Sequence, residues 1–169
     1  VHREGLGAGY QPIGAMLCTD AIYETIKAGS GFFQHGHTYL GHPVATAAAL
    51  AVVQKILDQD LCNKSDAQGE KLSTVLHERF AQHPHIGDIR GRGLFQAIEL
   101  VEDRETKAPF DPERGLAGKI KTAAFEAGLI CYPMSGTRDG QVGDHVLLAP
   151  PFIIEDAQIE ELVNKLNKA

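Results

Sequence analysis

From Val44 to Val53 the chain is an almost unbroken apolar run, and Pro43 stands directly before it. Proline suits the first turn of a helix, where its missing N–H would have no intrahelical partner. The run therefore predicts a buried helix from Pro43 to about Asp58. Upstream, Ile13 to Cys18 reads as a strand, and Thr19 or Asp20 caps a short helix that runs to Ala28 and closes at Gly29. Downstream, Leu72, Val75, Leu76 and Phe80 share one helical face. Ser65-Asp66-Ala67-Gln68 fits a capping box for that helix, with an earlier start near Leu61 as the alternative; Pro84 ends it. Ile86 to Val101 predicts extended structure broken at Gly91-Arg92-Gly93, and the charged, proline-bearing stretch Glu102 to Pro112 predicts a surface loop. A third helix is expected from Arg114 to Ala127, stopped by Gly128. Leu129 to Tyr132 and His145 to Ala149 read as short strands around a glycine-rich, hairpin-like loop from Ser135 to Asp144. A last helix carries Glu155 and Asp156 in its first turn and Ile159, Leu162, Val163 and Leu166 on one stripe. Strands and helices interleave through the C-terminal two-thirds, which predicts a mixed α/β fold.

Composition narrows this little but usefully. The 169 residues suit one ordinary domain or two small ones, and 43% hydrophobic with 22% charged residues is a globular balance. A net charge of −6 argues against nucleic acid as the main partner, and no apolar run reaches a bilayer span, so no membrane partner is expected. Cys18, Cys62 and Cys131 are odd in number and lack metal-type spacing, which points to free thiols and a cytoplasmic location. The opening Val1-His2-Arg3-Glu4 runs straight into a motif-like segment, so the chain is expected to be a piece of a longer protein.

The candidate chemistry lies just before the apolar run, in His35-Gly36-His37-Thr38-Tyr39-Leu40-Gly41-His42-Pro43. A helix N-terminus has unpaired N–H groups and partial positive charge that suit an anion. Thr38 adds a hydroxyl, and Gly36 and Gly41 permit close backbone approach. Two readings stay open from physics alone: a phosphate or carboxylate site, and an ordinary glycine-rich loop. The length of Gly29 to Gly41 favours function over disorder, because Phe32, Phe33 and Tyr39 are too apolar for a disordered segment. The G-x-G-x-G of Gly5 to Gly9 lacks the strand-before, helix-after context of a dinucleotide fingerprint. His35, His37 and His42 invite zinc, but a catalytic zinc needs three held protein ligands, and no metal is expected. Cys131 has no neighbouring base in sequence and reads as a buried, inert thiol. Tyr132 and Phe152 are core side chains or ligand contacts.

Taken together, Gly5-Leu6-Gly7-Ala8-Gly9-Tyr10-Gln11-Pro12-Ile13-Gly14-Ala15 and His35 to Pro43 give the chain a close resemblance to the class III (omega-type) aminotransferases, pyridoxal 5′-phosphate enzymes of fold type I. Arg90-Gly91-Arg92-Gly93-Leu94 to Ile98-Glu99-Leu100, and Val146-Leu147-Leu148-Ala149-Pro150-Pro151-Phe152, follow in the family's order. The resemblance covers essentially the whole chain and corresponds to the C-terminal part of a full-length enzyme. It implies that residues 1–60 are a remnant of the cofactor-binding large domain and residues 61–169 the small C-terminal α/β domain. It also implies transfer of an amino group between an amine or amino acid and a keto acid or aldehyde, in a homodimer or dimer of dimers. Thr38, with His37 and Gly36, would hold the cofactor phosphate, Thr38 reaching the neighbouring subunit's site. Two positions depart from the pattern. Glu4 stands where the family has the lysine that forms a Schiff base with the cofactor, and a carboxylate forms no imine. Tyr132 stands where several members carry a substrate-binding arginine, with Arg138 as the nearest substitute. The family's upstream phosphate loop, stacking aromatic and pyridine-nitrogen aspartate are not in this chain. The other readings are a non-catalytic fragment or pseudoenzyme that keeps fold and dimer surface, and an aminomutase of the same family.

Overall fold

The computed structural model describes residues 2, 3 and 5–169, with side chains from Gly5 onward, in two compact units, 1–60 and 61–169. In unit 1, β1 (His2–Arg3) pairs antiparallel with β2 (Gly14–Ala15), and a 3-10 turn at Gly5–Gly7 follows β1. The expected strand over 13–18 shrinks to two residues because its partner is only two residues long; Met16 and Leu17 are exposed. Two helices follow, α1 (Asp20–Ala28) and α2 (Pro43–Asp58). Thr19 has the extended backbone of a cap residue, but its side chain makes no cap bond. In α2, Pro43 opens the first turn and Ala45 and Ala49 are buried. The helix is there but is not the buried one expected: Val44, Leu50 and Leu57 are 58%, 68% and 69% exposed. Among the described residues of unit 1 the buried positions of α2 are the alanines, while its larger residues Val44, Leu50 and Leu57 are exposed.

Unit 2 is a four-stranded antiparallel sheet in the order β3 (Ile86–Arg92), β4 (Phe95–Leu100), β6 (Val142–Leu148), β5 (Tyr132–Arg138). Alternation decides its faces. Gln96, Ile98 and Leu100 lie opposite Leu148, Val146 and Asp144, and all six are buried. Onto the sheet pack α3 (Leu61–Phe80), α4 (Leu116–Glu126) and, against α3, α5 (Asp156–Leu166). Leu72, Leu76, Ile159 and Val163 are wholly buried between them. Helix α3 starts at Leu61, so Ser65 is a buried interior residue and caps nothing. Helix α4 starts later than Arg114 because Gly115 has φ +58°, and a 3-10 turn at Pro112–Arg114, capped by Asp111, takes the preceding residues. The expected loop from Ser135 to Asp144 is mostly strand. Asp139 and Gly140 both have positive φ and Gln141 N–H donates to the Arg138 carbonyl, the two-residue turn that matches sheet twist. Gly136 and Gly143 sit inside the strands, where the register shifts between Ser135 and Arg138.

Helix α3 approaches the β3–β4 turn closely at Gly69. A Cβ on Gly69 would overlap the carbonyl group and Cα of Gly93. Gly93 itself has φ +52°, and its carbonyl accepts from Gln96 Nε2 at 2.7 Å. Helix α5 is tied to α3 by the buried Gln68, whose Nε2 donates to the Ile154 carbonyl at 3.1 Å and to Asp156 Oδ1 at 2.9 Å. Lys71 Nζ donates to the same carboxylate at 2.8 Å. The Lys71 hydrogen bond, then that of Gln68, hold the Asp156 carboxyl below its ordinary range. A depressed carboxylate stabilises the fold above its unfolded pKa, and that contribution is lost as pH falls through the folded value. Asp156→Asn should therefore unfold at lower urea than the parent at pH 7, with the two curves converging under strongly acid conditions. A constant difference at all pH values would contradict the linkage.

Candidate functional site

Two successive turns shape the loop before α2. Leu40 N–H donates to the His37 carbonyl at 2.9 Å, and His42 N–H donates to the Tyr39 carbonyl at 3.1 Å. Thr38 occupies the second position of the first turn and is exposed. Gly41, with φ +71°, turns the chain into the helix. Gly36 carries no positive φ, and an added Cβ would meet nothing within 4 Å, so no described neighbour demands a glycine there. The rings of Phe33, His35 and His37 meet edge to face, with His35 and His37 centred 5.2 Å apart. Residues 29–43 contain no carboxylate side chain.

The helix N-terminus is less open than expected. Ala45 N–H donates to His42 Nδ1 at 3.4 Å and Thr46 N–H to the His42 carbonyl at 3.0 Å. His42 is therefore the cap of α2. Among the described residues no three His, Cys, Asp or Glu side chains converge as a metal group. Glu4 lies outside the described residues.

In unit 2 the two residues expected to face a substrate are far apart. Tyr132 opens β5, 62% exposed and opposite Leu147; Arg138 closes the same strand opposite Val142. Five strand residues lie between them, so they stand up to about 20 Å apart along a strand bulged between Ser135 and Arg138. Arg138 is a strand residue beside a tight turn and not part of a flexible loop. Cys131 is half-buried, and burial pushes its thiol up, away from the thiolate a nucleophile needs.

Sequence reasoning missed a cross-strand cluster on the outward sheet face. Asp88 pairs in register with Glu99, and Glu99 with His145. Arg90 donates to Asp88 at 2.8 Å and to Glu99, and these bonds hold its guanidinium above the ordinary value. His145 Nδ1 lies 2.7 Å from Thr137 Oγ1, while on the opposite face Ser135 donates to the buried Asp144 at 2.6 Å. Only the alternation of Asp88, Arg90 and Arg92 along one strand hinted at such a face; the partners depend on register.

The class-III aminotransferase family model matches residues 3–169. The chain belongs to this family. It is 44% identical to aminotransferase YodT of Bacillus subtilis over 97% of this chain and 37% of that protein. A Schizosaccharomyces pombe aminotransferase, C1771.03c, is 47% identical over 96% of this chain and 36% of its own length. The crystal structure of a transaminase from the marine bacterium Virgibacillus superposes with a TM-score of 0.89 at 33% identity, covering 98% of this chain and 37% of that one. A PLP-bound amine transaminase from an uncultivated Pseudomonas species gives a TM-score of 0.85 at 33% identity over 98% and 36%. The chain spans about a third of the length of these aminotransferases. It is thus a partial, mixed α/β region of a class-III aminotransferase. Among the described residues no helix is long and apolar enough to cross a membrane.

Proposed function

We propose that the full-length protein is a pyridoxal 5′-phosphate-dependent aminotransferase, moving an amino group between an amine or amino acid and a keto acid or aldehyde. The observation that carries this is the exposed Thr38 turn in a segment free of carboxylates, which fits a phosphate, within a chain of this family. Thr38 donates its hydroxyl to the phosphate, Gly36 leaves room for it, and His37 flanks it. The cofactor supplies an electron sink once bound. Residues 1–60 are the end of the cofactor-binding large domain and residues 61–169 the small domain. The homodimer, or dimer of dimers, is supported by the exposed aromatic loop with Phe32, Phe33 and Tyr39 and by the bare outer face of α2. A cytoplasmic location is supported by three free thiols, two of them exposed. Tyr132 takes the substrate-facing position, and its separation from Arg138 supports simple amines over dicarboxylates as donors.

The fit fails at one point: Glu4 offers no amine where the family's lysine stands, which favours a second reading, a non-catalytic relative that keeps fold and dimer surface. The test of the enzyme reading is full-length protein with lysine at position 4, given the cofactor and a panel of amines and amino acids. Conversion of at least one donor to its carbonyl product is expected; none with any donor overturns it, and isomerisation of a single substrate would mark an aminomutase instead. In the same protein Thr38→Ala should weaken cofactor binding about tenfold or more, since a hydrogen bond to a charged group is worth ~1.5–3 kcal/mol. Thr38→Ser should keep most of the affinity. Equal affinity in Thr38→Ala, measured by equilibrium titration, removes Thr38 from the phosphate site.

A further inference from the structure

Unit 2 holds a cavity of about 280 Å³ on the helix side of the sheet. It is lined by Ile98 and Val146 of the sheet, Ile120 of α4 and Leu166 of α5. Phe110, on the loop before α4, also lines it. Each of these residues follows from the fold; the polar side chains of the lining are His83, His85 and Asn167, and Ala169 also borders the cavity. His83 and His85 are both exposed and both line the cavity.

Their hydrogen bonds fix their proton positions. His83 Nδ1 accepts the His85 backbone N–H at 3.2 Å, so neutral His83 carries its proton on Nε2. His85 Nδ1 lies 3.2 Å from the Val101 carbonyl, which can only accept, so that proton is on Nδ1 and Nε2 is left as an acceptor. The rim thus offers a donor and an acceptor on neighbouring rings, centred 5.9 Å apart. The His85 ring in turn meets Phe110 at 5.2 Å, giving a continuous aromatic wall. Arg114 lies 5.1 Å from the centre of the Phe110 ring and adds positive charge nearby, offset in part by Glu102 at 3.2 Å.

An apolar hollow of this size with a few convergent polar groups is the usual form of a small-molecule site. We propose that this cavity binds a small aromatic monocarboxylic acid, ring inward against Ile98, Ile120 and Phe110, carboxyl group between His83 and His85. His83 Nε2–H donates to one carboxyl oxygen. The ligand enters as its carboxylate; His85 Nε2 takes up one proton from solvent as it docks, and that N–H donates to the second oxygen. Purely apolar molecules would satisfy the apolar lining but leave both imidazoles to water.

The probe is benzoate, titrated calorimetrically into full-length protein, with toluene and benzylamine as comparison ligands. Saturable benzoate binding is expected, with benzylamine far weaker. Leu116→Phe, which fills the cavity from α4, should abolish it. His83→Ala changes an exposed residue and leaves the fold standing whatever Leu116→Phe does; it should cost benzoate about tenfold or more, the loss of one charge-assisted hydrogen bond. Toluene should be unaffected by His83→Ala. No saturable binding of benzoate at millimolar concentration overturns the proposal. So does benzoate affinity unchanged in both variants, since the ligand then sits elsewhere.

Discussion

Gly69→Ala should unfold unit 2 at markedly lower denaturant than the parent, with a loss of about 3 kcal/mol or more. The usual expectation is the opposite, because glycine inside a helix is worth ~1 kcal/mol less than alanine. Here the added methyl would sit inside the Gly93 backbone, and backbone cannot rotate away as a side chain can. Either α3 lifts from the β3–β4 turn, exposing Leu72 and Leu76, or the turn shifts and Gln96 loses its bond to the Gly93 carbonyl. Gly118→Ala is the matched comparison. Gly118 lies in α4 with open space around its Cα, so alanine there should add about 0.5–1 kcal/mol. Urea denaturation followed by far-ultraviolet circular dichroism reads both. Similar midpoints for the two variants would mean that α3 does not rest on the turn.

That contact also marks where sequence reading stops. The stripe of Ile159, Leu162, Val163 and Leu166 is local, and α5 lies where its periodicity put it. Pro43 likewise fixed the start of α2 through its own chemistry. Ser65-Asp66-Ala67-Gln68 has the right residues for a cap but the wrong context: Leu61 is buried, so the helix extends one turn further to carry it inward, and Gln68 is spent on α5. Glycines misled in two directions. Gly136, Gly140 and Gly143 looked like one loop, yet only Gly140 serves a turn; the other two carry positive φ inside a bulged hairpin. The site followed the same division. The proposal for Thr38 rests on its neighbours in sequence, whereas the capping of α2 by His42 and the approach of Asp88, Glu99 and His145 depend on side-chain placement and register.

Replacing Glu4 by lysine in the full-length protein should raise transamination by about 10⁴-fold or more. The position follows from the Gly5-Leu6-Gly7-Ala8-Gly9-Tyr10 motif, in which the family's lysine immediately precedes the first glycine. Two roles rest on that amine, and Glu4 can fill neither of them. A positioned base that carries the substrate proton is worth about 10²–10⁴-fold alone. The amine's covalent role adds to this, because a carboxylate cannot condense with an aldehyde. Charge is not the cause, and Glu4→Gln and Glu4→Arg separate the two explanations. Glutamine removes the negative charge and arginine reverses it, but neither supplies a nucleophilic amine at neutral pH. Both should remain as inactive as the glutamate form while binding the cofactor through the Thr38 turn. The measurement is kcat/KM with a donor accepted by the lysine form, together with cofactor affinity for all four proteins. Activity in the arginine variant would assign the defect to electrostatics. Equal activity in the glutamate and lysine forms would move the reactive amine to another residue. Cofactor binding without turnover in all four would leave the non-catalytic reading standing, since the phosphate turn and the fold would then be conserved parts of a protein that binds without reacting.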